Sequence, residues 1–121
     1  MGKNSFMKLK ISEIENKGVA ENERIILKVL ESDNVGQYVI FKTKKLADDR
    51  VSSRPSDVFW FQNKEVKKGD WVVIYTKSGT YKSIINEKGN TSHFFYWDKK
   101  EPLWKDSIDI PILLHIDEWD L

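Results

Sequence analysis

The chain has 121 residues, 40% of them apolar, 12% aromatic and 32% charged, with no cysteine. That length bounds it at one domain with its own core, and no apolar run approaches the roughly 18 residues of a membrane span. Lys and Arg total 20 against 19 Asp and Glu, which excludes a strongly polyanion-seeking chain, while the missing cysteine excludes thiol catalysis, disulfides and thiolate zinc sites.

Residues 1–7 read as a leader or unstructured N-terminus, and residues 8–121 as a single domain. Phe6 stands where an N-myristoylation signal needs Ser or Thr, so that motif is not met. No apolar leader follows Met1, so no signal peptide is expected and the cytoplasm is slightly favoured.

Strand signals follow. Leu9, Ile11 and Ile14 open the first strand, which the turn residues Asn16-Lys17-Gly18 close. Arg24 to Leu30 is β-rich and too short for a helix, and Ser32-Asp33-Asn34-Val35-Gly36 is a turn cluster. Tyr38-Val39-Ile40-Phe41 is the next strand. From Lys42 to Asp57 the apolar signal lapses into a polar loop, with room for a helical turn over Lys45 to Arg50. Loops this long are uncommon unless mobile or functional.

Val58-Phe59-Trp60-Phe61 resumes strand character. Trp71 to Thr76 is apolar on both faces, which predicts a central strand or one covered on both sides. Ser78-Gly79-Thr80 predicts a hairpin turn into Tyr81 to Ile85. His93 to Trp97 and Ile108 to Ile116 are the last strands. Pro111 within the latter requires an edge or a bulge, because proline cannot donate to the ladder. Trp119 is expected to anchor that final strand. Seven to nine short strands without an amphipathic helix predict an all-β sandwich or barrel.

The order of these motifs resembles the lamin-tail domain. Ile11-Ser12-Glu13-Ile14 is similar to its opening strand, and Glu23-Arg24-Ile25-Ile26-Leu27 to its second. Tyr38-Val39-Ile40 follows a polar turn, where the family more often begins with Trp. Phe59-Trp60-Phe61, then Val66-Lys67-Lys68-Gly69, lead into the hydrophobic strand from Trp71 to Tyr75. The most specific match is Trp104-Lys105-Asp106-Ser107-Ile108-Asp109, similar to the family's Trp-x-Asn-x-Gly-Asp turn. Asp106 replaces its Asn, Ile108 its Gly, and Lys68 a Pro in the earlier motif. The resemblance covers about residues 8–118. It implies an immunoglobulin-like β-sandwich of antiparallel strands acting as an interaction module, without a shared catalytic site. Bacterial members often sit beside nucleases or other secreted enzymes.

The candidate chemistry is sparse. His93 and His115 are the sole histidines, and a zinc site would need both, with carboxylates such as Asp98 or Asp117. No HExxH or Gly-x-Ser-x-Gly motif or phosphate loop is present. Asp106, Asp109, Asp117, Glu118 and Asp120 read as turn-forming or solvated. No cofactor, metal site or enzymatic activity is therefore expected, and a small metal-dependent enzyme on the two histidines is the least favoured reading.

Residues 42–68 carry a net charge of +4 and residues 101–121 one of −5. Such polarity can drive weak head-to-tail self-association. A binding surface is the main functional expectation, with a protein as the favoured partner. The alternative is a nucleic-acid surface, in which Lys44, Lys45, Arg50 and Arg54 contact phosphates and Trp60 stacks on bases. Trp60 and Trp97 are also candidates for stacking on a carbohydrate.

Overall fold

The structure is a computed structural model and describes residues 7–121. Six residues of the expected leader thus lie outside the described residues, while Met7 is half-buried against the core. Strand β1 (Leu9–Glu15) pairs antiparallel with β2 (Arg24–Val29), and β2 with β7 (Trp71–Tyr75). Beyond β7 lie β9 (Thr91–Tyr96) and, at the edge, β8 (Lys82–Ile85). A second sheet orders β10 (Asp109–His115), β4 (Tyr38–Lys44) and β5 (Ser56–Trp60). The short strands β3 (Asp33–Asn34) and β6 (Glu65–Val66) form a third, two-stranded sheet.

The fold is all-β, and the two larger sheets face one another across a shared core. Leu27, Val72, Ile74 and Phe95 supply one side of it, and Tyr38 and Ile40 the other. Phe59 of β5 meets Phe95 of β9 at 6.4 Å and Trp97 at 5.5 Å, which ties the sheets together. Pro111 sits on β10, an edge strand, where its missing N–H disturbs no inner ladder.

Three local expectations are corrected. The 78–80 turn does not make a hairpin with β7, because β9 lies between β7 and β8 and pairs parallel to β7. Apolar residues on both faces of β7 require neighbours on both sides. The flanking place goes to aromatic β9, while β8, exposed at every position, takes the edge. Residues 45–50 form no helical turn. Lys45 bridges Val51, Leu46 N–H donates to Arg50 O, and Ser52 N–H donates to Lys44 O, so the segment extends β4 as a hairpin arm. Trp119 lies beyond the end of β10 and is 68% exposed, so it anchors no strand.

One buried carboxylate holds the sandwich end together. Glu23 accepts hydrogen bonds from Thr76 Oγ1 and the Leu103 amide at Oε1, and from the Gly18 and Trp104 amides at Oε2. Those four donors come from the β1–β2 turn, the end of β7 and the segment before β10. Each lone-pair demand of the carboxylate is thereby met without a cation.

Candidate functional site

The structure separates the residues expected to bind nucleic acid. Trp60 pairs with Val39 at one end of the β4–β5 ladder and Ser56 with Lys42 at the other. Four residues of strand put about 13 Å between those ends. Lys45, Arg50 and Arg54 are exposed on and after the hairpin arm at the Ser56 end, away from Trp60. Lys44 is engaged in a 2.5 Å ion pair with buried Asp109, and Lys42 approaches the same carboxylate at 3.9 Å.

Burial alone would raise the Asp109 pKa. The Lys44 ammonium, the Asp106 amide and Lys42 outweigh it and hold the carboxyl below its ordinary value. Asp109 lies opposite Lys44 in the β10–β4 register, so the acidic and basic regions of the sequence are neighbours within one molecule. Part of the polarity that suggested head-to-tail association is neutralised there.

Trp97 is corrected as a candidate. It is 7% exposed, with Phe59 at 5.5 Å and Trp104 at 5.9 Å, and offers no face to a sugar or base. Alternation along β9 explains why. His93 and Phe95 point inward, and Trp97 continues the same parity.

Trp60 lies outside the core, 48% exposed, while Phe59 and Phe61 pack inward at 5.1 Å from each other. Its indole Nε1 donates to Gly36 O at 2.8 Å, which fixes the ring. Asn34 shapes the floor beside it, its Oδ1 accepting from the Gly36 and Lys64 amides and its Nδ2 donating to Asn63 Oδ1. A side chain on Gly36 would collide with Asn63, so this close approach requires glycine. After β10, Ile116 N–H donates to Gln37 O and carries the chain past the same turn. Trp119 then stands edge-to-face against Trp60, with ring centroids 5.5 Å apart. Between the indoles and Gln62, Asn63 and Gly36 opens a cleft of about 420 Å³.

The histidines are not brought together in one site. His115, on β10, packs against the Tyr38 ring at 4.8 Å and lies 3.7 Å from Asp117. His93 is buried on β9 in the other sheet. Its Nε2 lies 3.0 Å from Asp70 Oδ2 and its Nδ1 2.9 Å from the Tyr81 hydroxyl. With both ring nitrogens engaged, neither is free to take a proton from a serine. Burial would raise the Asp70 pKa, but the Lys67 and Thr91 amides and His93 hold it below its ordinary value. Among the described residues no three His, Asp or Glu side chains cluster as a metal site, and no helix is long and apolar enough to cross a membrane.

A second aromatic surface lies on the outer face of the five-stranded sheet, at residues other than the candidate Trp97. The outward residues of β7 and β9 include Trp71, Tyr75, Phe94 and Tyr96, all half-buried. Tyr75 and Tyr96 are register partners with ring planes within 12°. Its signal in the sequence was the two-residue period: Trp71, Val73 and Tyr75 share one parity, and Phe94 and Tyr96 another. Only the parallel β7–β9 pairing places the two sets side by side.

Compared with known proteins, the chain matches no protein-family model and no curated protein.

Proposed function

We propose that this chain is a non-catalytic interaction domain of lamin-tail type that docks a partner protein through the Trp60–Trp119 corner. The observation that carries the reading is a pair of exposed indoles held edge-to-face over a cleft, one of them fixed by Gly36 O. Tryptophan left in water forgoes a large burial energy, and it dominates the centres of protein interfaces because it contributes wide contact area with few rotors. Amides of Gln62 and Asn63 beside the rings supply the polar rim such a contact needs.

Support for the family comes from the motif that resembled it most. Trp104 is fully buried, and Asp109 closes the following turn by accepting from the Asp106 amide. The two-strand opening motif forms the β1–β2 pair, and Glu23 of that motif is the buried anchor. The fully engaged nitrogens of His93 favour a structural role over a base.

The test is photocrosslinking in cells of the source organism, with benzoylphenylalanine at Gln62 beside the cleft and, separately, at exposed Ile85 on β8. A discrete adduct from position 62 alone is expected, absent in a W60A/W119A background. The purified adduct protein is then expected to bind the wild-type domain and to lose about ten-fold or more in affinity for that double variant. Identical adducts from both positions, no adduct, or unchanged affinity of the variant overturns the proposal.

A further inference from the structure

We propose that the outer face of the five-stranded sheet binds single-stranded nucleic acid, with bases stacking on Trp71, Tyr75 and Phe94 and phosphates meeting Lys28, Lys77 and Lys82. This face is distinct from the Trp60–Trp119 corner and does not depend on that reading.

The composition of the face is the first argument. A sheet with one face in water ordinarily carries polar residues there. Here the inner strands β7 and β9 present Trp71, Tyr75, Phe94 and Tyr96, each only half-buried. Tyr96 is sealed by Gly79, whose added Cβ would run into the ring, which leaves three rings as platforms.

Charge complementarity is the second. Each platform has a cation over it: Lys28 lies 5.7 Å from the Trp71 centroid, Lys82 5.9 Å from Phe94, and Arg24 and Lys77 5.5 and 5.0 Å from Tyr75. Lys28, Lys77 and Lys82 are flexible side chains on exposed or half-buried positions, able to swing from ring to phosphate as a base takes their place, while Arg24 is held by Glu15 and the Asn22 carbonyl and marks the edge of the surface. Opposing charge on the face comes from β1, where Glu13 and Glu15 flank β2 and Glu15 pairs with Arg24 at 2.6 Å. On the β7–β9–β8 part of the face the outward strand residues carry one charge, Lys82, joined by Lys77 just after β7.

Register is the third. Lys28, Trp71 and Ser92 lie in one row across the sheet, and Lys82, Phe94 and Val73 in the next. Trp71 and Tyr75 are about 13 Å apart along their strand, with Phe94 between them on the neighbouring strand, a span suited to two or three bases. Beyond Trp71 the row opens into a cavity of about 550 Å³ lined by Lys28, Lys88, Asn86 and Asn90, with one opposing carboxylate, Glu87, where a further nucleotide finds two cations and two amides. Aromatic stacking joined to a basic surface is the chemistry by which proteins hold single strands without strict sequence preference.

Fluorescence anisotropy with short labelled oligo(dT) and oligo(U), at low and raised salt, tests this. Binding that weakens as salt rises is expected in at least one arm. F94A and, separately, K28E/K82E are expected to weaken it about ten-fold or more. The charge pair keeps the test decisive if F94A fails to fold, and W60A/W119A is expected to bind as wild type does. No binding at low salt overturns the proposal. So does equal binding of duplex DNA or polyglutamate, or affinity untouched by F94A and K28E/K82E.

Discussion

Glu23 Oε1 accepts a 2.6 Å hydrogen bond from Thr76 Oγ1 in the interior, across 53 positions of sequence. The same carboxylate takes three amides, two of them from residues 103 and 104, so one side chain fixes the segment leading into β10. Replacing it with alanine strands three buried donors and the half-buried Gly18 amide. A loss of about 3 kcal/mol or more is expected for Glu23→Ala by urea denaturation, because unsatisfied buried groups cost about 1–3 kcal/mol each and partial rehydration recovers some. Glu23→Gln turns an amide NH₂ toward N–H donors and is expected to be destabilising too, while Thr76→Val removes one bond and costs less.

Glu23 also marks where sequence legibility ended. Glu23 stands out only as the first residue of a strand motif, and nothing local announces partners 80 residues away. By contrast, β7 declared its central place through apolar residues on both faces, and Pro111 its edge. Turn chemistry at Ser78–Thr80 is real but local. It could not say that β9 would insert between β7 and β8, since pairing is decided by which strand best covers an apolar neighbour. At the candidate sites, alternation put Trp60 outward and would equally have put Trp97 inward. The partners of Trp60, Gly36 and Trp119, come from opposite halves of the chain and needed the fold.

Acid sensitivity follows from Asp70 and Asp109. Both are buried, yet hydrogen bonds and cations hold both pKa values below the ordinary 3.8. Below that value an unfolded chain binds protons that these carboxylates still refuse, so stability falls with falling pH. The contribution is complete above about pH 4 and is lost as pH drops through the folded-state values. Chemical denaturation from pH 6 downward is expected to show this decline, with a shallower slope in Asp70→Asn and Asp109→Asn, each starting from lower stability at pH 6.

At the alkaline end Tyr38 dominates. Burial and its 2.9 Å hydrogen bond to Asp33 Oδ2 push its phenol up from 10.0 to about 12. A raised folded-state value stabilises the fold below the unfolded value, and that contribution is lost as pH rises from there through the folded value. Ultraviolet titration is therefore expected to show a tyrosine step near 12, and Tyr38→Phe to remove that step. Absence of that step in the folded protein contradicts this assignment.

Gly79 tests how tightly the outer aromatic row is built. Its place against the Tyr96 ring leaves no room for a Cβ, and the loop around it is tied by the Ser78 hydroxyl to Asp98. Gly79→Ala must displace the loop or the ring, and the ring cannot shift without leaving its register partner Tyr75. Overpacking of this kind costs about 1–3 kcal/mol. Gly18→Ala is the useful contrast. Nothing lies near its added Cβ, and its positive φ of +87° alone makes alanine costly, by about 1 kcal/mol. A Tyr96→Leu background is therefore expected to relieve much of the Gly79→Ala penalty and none of the Gly18→Ala one. Denaturation of the single and double variants measures the coupling, and equal penalties for Gly79→Ala in both backgrounds would place its cost elsewhere than the ring.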